Sequence, residues 1–191
     1  MAGYFPEMFQ SQEISVIRTM AFAGAAALMA ALVAPAAPAL AKPGPAAVST
    51  HDFVMGAAQS DEFERRAGRM AETMARSHRV QAFAARMVRD HTTTTHDLQA
   101  ALRRAGRPVP PPPPLTPDQQ GMLDQLKNAG PGFDATYLQQ QVQAHQQALG
   151  LLGGYAHGGD NPILRDAARQ TIPLVRHHLM MAQELQATVR R

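Results

Sequence analysis

The chain contains no cysteine among its 191 residues. This excludes disulfide bonds, thiolate metal ligands, cysteine nucleophiles and bacterial lipid attachment. Tryptophan is also absent and aromatic residues make up 5%, so a large β-sandwich or β-barrel, which relies on such side chains, is not expected. Charged residues are few, at 17%, whereas hydrophobic residues reach 45%, and this balance excludes a charge-rich disordered chain.

The chain also lacks a concentrated positive charge, although its formal net charge is +3. The arginines are scattered along the sequence instead of forming a patch or stripe, so no nucleic-acid partner is expected. Three of them follow an acid by four residues, which predicts a solvated helix face: Asp61 with Arg65, Glu62 with Arg66, and Glu72 with Arg76.

The N-terminal segment resembles a secretory signal peptide. Arg18 precedes an apolar run over residues 20–33, and the small-x-small sequence Ala-Leu-Ala follows at residues 39–41. We therefore expect residues 1–41 to be a signal peptide and the remainder to be periplasmic or secreted. Membrane contact is expected only through this segment. An uncleaved anchor is the alternative, but Pro35 and Pro38 shorten the run below the ~20 apolar residues of a spanning helix.

Residues 42–49 form a Pro/Gly-containing tether, and residues 50–191 show helical periodicity throughout. Long helices are predicted from about 50 to 76, from 77 to 105, from a cap at Asp134 to about 156, and from Pro162 onwards. Ser49 or Thr50 would cap the first helix. A polyproline run and a short helix from Thr116 to about 128 would form the crossover. The sequence therefore predicts an all-α four-helix bundle of two antiparallel hairpins joined by this crossover.

One polar residue interrupts the apolar stripe of each long helix: Glu64, His91, His145 and His178. Helix lengths place Glu64 level with His91, but they separate His145 and His178 by ~7 Å along the axis. Three imidazoles and a carboxylate are a suitable ligand set for iron, zinc or copper, so we predict a metal site. The alternative is a metal-free, hydrogen-bonded network that sets the register of the bundle.

Several stretches resemble an exported bacterial family known as domain of unknown function 4142, a member of the ferritin-like superfamily. They are residues 53–55, 57–59 with Glu64, 83–84, 87–92, 133–134 with Tyr137, His145, and 173–179. The resemblance covers about residues 50–185. It implies a ferritin-like bundle, and its matching positions include Glu64, His91, His145 and His178. No established activity comes with the family.

The chain departs from the Glu-x-x-His pattern of ferritin-like di-iron enzymes. The residues three positions before His91 and His178 are Val88 and Val175, which argues against oxygen activation and ferroxidase chemistry. We therefore expect a non-enzymatic metal-binding or stress-related periplasmic protein. The alternatives are a structural or interaction module with a metal-free His/Glu core, and an oxidoreductase with an atypical metal centre. The metal and the oligomeric state stay open.

Overall fold

The computed structural model describes residues 48–189, which form helices and loops without a strand. Their order is α1 (Thr50–Met74), α2 (His78–Arg104), α3 (Pro117–Asn128), a 3-10 turn (Gly130–Gly132), α4 (Phe133–Gly158) and α5 (Pro162–Val189). The all-helical prediction is therefore confirmed. The predicted signal peptide and most of the tether lie outside the described residues. Among the helices described, none combines the length and apolar character needed to cross a membrane.

Three helices begin where their capping residues predict. Ser49 precedes α1, and its hydroxyl accepts a hydrogen bond from the backbone N–H of Asp52. Thr116 and Gln119 form a complete capping box at α3. Asn161 precedes α5, and its side chain accepts hydrogen bonds from two backbone N–H groups of the first turn. Each bond satisfies a donor that the first turn of a helix leaves unpaired.

The prediction that Asp134 caps α4 is wrong. The 3-10 turn leads directly into α4 at Phe133, so Asp134 already lies within the first helical turn. Its buried carboxylate instead accepts hydrogen bonds from the backbone N–H groups of Arg76 and Ser77, both at 2.9 Å. The Ser77 side chain makes no capping bond of its own. Asp134 therefore supports the turn between α1 and α2, far from it in sequence.

The long helices pack in a closed circuit, in which α1 and α5 each contact both α2 and α4. The shorter α3 packs on the outside against α1 and α4. Close approach of α1 to α2 requires a glycine at position 68, because a Cβ there would lie 2.8 Å from a methyl carbon of Val88. Neither the α4 glycines nor Pro173 interrupts its helix: α4 extends to Gly158, and α5 continues through Pro173.

Two hydrophobic clusters fill the space between the helices. The first, which we call the α3-side core, contains Phe63, Phe83 and Tyr137 together with Leu126 of α3. The second, which we call the turn-side core, contains residues near the α4–α5 turn. Its larger members are Phe53, Leu102, Leu152, Tyr155, Leu164 and Val175. His91, His145 and His178 each lie between the two clusters on their own helices, whereas Glu64 directly follows Phe63 of the α3-side core.

Candidate metal centre

The four predicted site residues are all buried, each at most 3% exposed. One comes from each long helix: Glu64 from α1, His91 from α2, His145 from α4 and His178 from α5. The imidazoles meet between the two cores, with ring centroids 5.4–5.6 Å apart. One ring nitrogen of each histidine lies within 4.8 Å of those of the other two. Packing of the helices thus brings the three imidazoles into one group.

The predicted axial offset between His145 and His178 is too large. Because α4 ends at Gly158, two residues later than expected, His145 lies thirteen residues before the helix end. His178 lies sixteen residues after the start of α5 at Pro162. The difference of three residues corresponds to ~4.5 Å along the helix axis, a distance that the two side chains can span. Their ring centroids lie 5.4 Å apart.

Carboxylates hold two of the imidazoles in place. Nδ1 of His91 lies 2.9 Å from Oδ1 of Asp61, and Nε2 of His178 lies 2.8 Å from Oδ2 of Asp90. An ionised carboxylate only accepts hydrogen bonds, so the bonded nitrogen carries the proton in each pair. The other nitrogens, Nε2 of His91 and Nδ1 of His178, are buried without a hydrogen-bond partner.

His145 is held by the backbone of its own helix. Its Nδ1 donates a hydrogen bond to the carbonyl oxygen of Gln141 at 2.8 Å, which leaves Nε2 buried and unpartnered. Glu64 lies near the same Nδ1, with Oε1 at 3.5 Å, and its Oε2 accepts a bond from Nε2 of Gln141 at 2.6 Å. The group of converging ligand atoms contains the three imidazoles and not this carboxylate. Glu64 therefore adjoins the group, beside the anchored nitrogen of His145.

This arrangement has the features of a metal site. A histidine that binds metal usually donates its second ring N–H to a carboxylate or a backbone carbonyl, which fixes the orientation of the ring. All three imidazoles here are anchored in that way. Buried nitrogens without partners cost free energy, and a shared metal ion would satisfy all of them at once. Three protein ligands would leave a further coordination position open to another group.

The buried environment keeps two of the imidazoles neutral at pH 7. Burial lowers the pKa of His145 to about 3 and that of His178 to about 4, and the charge of His91 acts in the same direction. Burial also acts to lower the pKa of His91, but the Asp61 bond and the charge of Glu64 raise it above its usual value. Burial raises the pKa of Glu64 to about 7. Neutral imidazoles are the form that binds metal.

The predicted solvated pair of Asp61 with Arg65 is wrong. Asp61 is buried, and Arg65 pairs with Glu62. The neighbouring prediction is confirmed, because Arg66 contacts Glu62 at 2.6 Å. A four-residue spacing to an arginine therefore did not show which acid faces the solvent.

Asp61 accepts hydrogen bonds from Thr94 and Thr95, both at 2.9 Å, in addition to its contact with His91. One signal could have identified it: Asp61 precedes Glu64 by three residues, a spacing that places both on the same helix face. The roles of Asp90 and Gln141 carried no such signal.

The remaining five histidines are exposed, in agreement with their positions at helix ends or away from the apolar stripes: His51, His78, His96, His157 and His177. Only the three histidines in the apolar stripes converge. Exposed neighbours such as His177, adjacent to His178, therefore provide matched controls for experiments on the buried group.

An all-helical protein with a buried three-histidine group is the class that the fold and the site define. The family model for a domain of unknown function (DUF4142) matches residues 34–185, so the chain belongs to this family. No curated protein matches the chain. A solved structure described as "CopM in the Cu(II)-bound form" is similar, with 16% identity and a TM-score of 0.62. The match covers 73% of this chain and 97% of that one, and at this identity it shows the fold alone.

Proposed function

We propose that this protein binds one divalent transition-metal ion through His91, His145 and His178. The observation that carries the proposal is the state of the three ring nitrogens. Each imidazole is anchored through one nitrogen, its other nitrogen is buried and unpartnered, and one nitrogen of each ring belongs to the converging group. A metal-free network is the rival, but it would be expected to pair these nitrogens, because unpaired buried polar atoms are costly.

Copper(II) is the ion for which we expect the highest affinity. Imidazole nitrogens suit copper, zinc, iron and nickel, and among divalent ions of the first transition row copper binds most tightly to a given nitrogen site. The copper-bound form of the structurally similar CopM supports this choice. Zinc and iron are expected to bind the same three nitrogens more weakly.

Three carboxylates would offset the charge of the bound ion. Asp61 and Asp90 are bonded to two of the imidazoles, and Glu64 adjoins the third. A buried cation without compensating charge is strongly disfavoured, so these acids are part of the proposed site even though they are not among the converging ligand atoms. Glu64 was predicted from the sequence as a fourth ligand; its Oε1 is buried without a hydrogen-bond partner, but the carboxylate lies outside the group of converging ligand atoms.

We propose a binding or buffering role for the site, without catalysis. Val88 and Val175 occupy the positions where di-iron enzymes carry glutamates, and Val88 is in contact distance of α1 at Gly68.

The closed circuit of contacts among the long helices supports the proposal of a ferritin-like four-helix bundle. The basic, apolar and small-x-small pattern over residues 18–41 supports export. N-terminal sequencing of the periplasmic fraction should then find a chain that starts at Lys42.

Metal titration of two adjacent histidine variants tests the proposed function. Chelator-treated wild type should bind one Cu(II) per chain, and metal analysis of protein purified from the periplasm should agree. His178→Ala should lose this binding, whereas His177→Ala, which changes the exposed neighbour, should retain it. Wild type that binds no copper, zinc or iron would contradict the proposal. Destabilisation of His178→Ala in the presence of chelator, together with that result, would support the metal-free network.

A further inference from the structure

Two side chains of α5 that can bind metal lie outside the buried histidine group. His177 and Met181 are four residues apart, so they lie on the same face of the helix. Both contact one atom of α2: Nη1 of Arg86 lies 3.2 Å from Nε2 of His177 and 3.5 Å from Sδ of Met181. A ring nitrogen and a thioether sulfur therefore point at the same position, which a positively charged group occupies.

The contact with Arg86 fixes the state of the His177 ring. A guanidinium group donates hydrogen bonds and has no acceptor, so Nε2 of His177 must accept and carries no proton. Sδ of Met181 also acts as an acceptor in its contact with Arg86. Both atoms thus present lone pairs to the position of Nη1. An imidazole nitrogen and a thioether bind a metal ion in this form.

Arg86 is held weakly enough to be displaced. Its side chain is 42% exposed, and Nε lies 4.0 Å from Oδ2 of Asp90, at the outer limit of an ion pair. Strong pairs of arginine with a carboxylate usually have two parallel hydrogen bonds. Nη1 of Arg86 donates instead to an imidazole and a thioether. Rotation of the guanidinium group into the solvent would free both acceptor atoms at little cost.

The two ligand types select a soft monovalent ion. Thioether sulfur suits Cu(I), whereas it offers little to divalent ions that prefer nitrogen and oxygen ligands. Cu(I) and its analogue Ag(I) accept as few as two ligands, so one imidazole and one thioether are sufficient. Met181 is half-buried and packs against the α3-side core, which holds its sulfur in place. His177 is exposed, so an ion can reach the pair from the solvent.

We propose that His177 and Met181 form a surface site for one Cu(I) ion, which enters by displacing Arg86. The site goes beyond the proposed function, because its ligands and the oxidation state of its ion differ from those of the buried three-histidine site. Asp90 lies between the two sites, since its Oδ2 faces Arg86 on one side and bonds to His178 on the other. The surface site would therefore hold an ion on the outer side of a carboxylate that anchors the buried group.

Titration with Ag(I), a redox-stable substitute for Cu(I), tests the proposal on the full chain in chloride-free buffer. NMR of the methionine ε-methyl groups should show a saturable shift at Met181. The neighbouring Met180 is more accessible, at 49% exposed, but should respond weakly because it does not share the contact with Arg86 and His177. An ion that bound any accessible thioether would reach Met180 first. A response at Met180 equal to or greater than that at Met181 would show adventitious binding and overturn the proposal.

Three variants locate the ion, with binding followed at the ring of His177. Met181→Leu removes one of the two ligands and should weaken Ag(I) binding at least about tenfold, since even a group that only supports a ligand is worth about 10–100-fold in affinity. Met180→Leu is the matched control and should leave binding unchanged. Arg86→Gln removes the competing charge and should tighten binding.

Two histidine variants separate this site from the buried one. His177→Ala should lose the Ag(I) shift at Met181 and keep Cu(II) binding, whereas His178→Ala should lose Cu(II) binding and keep the shift. Failure of one site is therefore distinguishable from failure of the other. Wild type without a saturable shift at Met181, Met181→Leu that binds as tightly as Met180→Leu, or Arg86→Gln that binds no more tightly than wild type would each overturn the proposal.

Discussion

The two cores on either side of the histidine group differ in what lies between them and the polar side chains. In the α3-side core, the ring of Tyr137 packs against Phe83 and Phe133 with centroid separations of 6.2 and 6.3 Å, and α3 adds Leu126 from outside. The turn-side core borders a cavity of about 290 Å³ that opens to the solvent and extends to His91. The space next to the turn-side core thus reaches the histidine group, whereas next to Tyr137 the α3-side core is filled by aromatic rings.

The positions of α3 and of the α4–α5 turn explain this difference. The α3 helix packs against α1 and α4 and contributes buried leucines to only one of the cores. At the opposite end, the α4–α5 turn is held by polar contacts instead. Thr50 and Tyr155 share a hydrogen bond of 2.6 Å, and Arg165 donates to the carbonyl oxygen of Gly159 at 2.6 Å. These contacts stabilise the turn without filling the space below it.

A matched pair of leucine truncations tests the comparison most strongly. Leu138 is completely buried in the α3-side core, so Leu138→Ala should lower the free energy of unfolding by ~3–5 kcal/mol. Leu152 already lines the cavity and has fewer neighbours to lose, so Leu152→Ala should cost only ~2–3 kcal/mol. Urea denaturation measures both values. A larger loss for Leu152→Ala would show that the turn-side core is the more tightly packed one.

Metal binding should stabilise the boundary between the cores. With free Cu(II) at about one hundred times its Kd, the folded state gains ~2.7 kcal/mol, because the site exists only in the folded chain. For a chain of this size the gain corresponds to a rise in Tm of ~5–10 °C. His145→Ala should lose this rise, whereas His157→Ala, an exposed position on the same helix, should keep it. An equal rise in both variants would place the metal elsewhere.

Acidification should lower the stability of the metal-free protein, because His145 and His178 are neutral in the folded state. Between pH 6.5 and 4.5, His145 and His178 bind protons only when unfolded, because their pKa values in the folded state are about 3 and 4. Glu64 acts in the opposite direction, since its pKa of about 7 lets the folded state keep a proton that the unfolded state loses.

The raised pKa of His91 keeps its proton on the folded state near pH 6.5, and below about pH 6 this residue is protonated in both states. The net difference is then about one proton, so stability should fall by roughly 1 kcal/mol for each pH unit from 6 to 4.5. Urea denaturation in chelator at several pH values measures this slope. Stability that stays level or increases from pH 6.5 to 5 would contradict the proposed neutral state of the two histidines.

The smallest effect is expected at the turn between α1 and α2. Asp134→Ala leaves the backbone N–H groups of Arg76 and Ser77 without their buried acceptor and should cost ~1–2 kcal/mol. Ser77→Ala should lower the free energy of unfolding by only a few tenths of a kcal/mol, because the Ser77 side chain makes no capping bond. Thermal unfolding of both variants distinguishes them. A larger loss for Ser77→Ala would mean that the serine caps α2 in solution.

The sequence predicted the helices and the four buried polar residues, but not the contacts around them. Local signals were sufficient for the caps at Ser49 and Thr116, because a cap bonds to residues only a few positions away. Asp134 carries the same type of signal, yet its carboxylate bonds to a turn more than fifty residues earlier in the chain. Asp61 was assigned to the surface for a similar reason, since a possible partner four residues away does not reveal a buried partner on α2.

The sequence alone determined the class of fold and the inward positions of Glu64, His91, His145 and His178, because helical periodicity decides which face each residue occupies. Only the tertiary structure decided what those positions form. The lengths and packing of the helices bring the three imidazoles together and leave Glu64 beside them. The cavity next to His91 depends likewise on the side chains of four separate helices. Distances between residues far apart in the chain follow from packing, which no local pattern encodes.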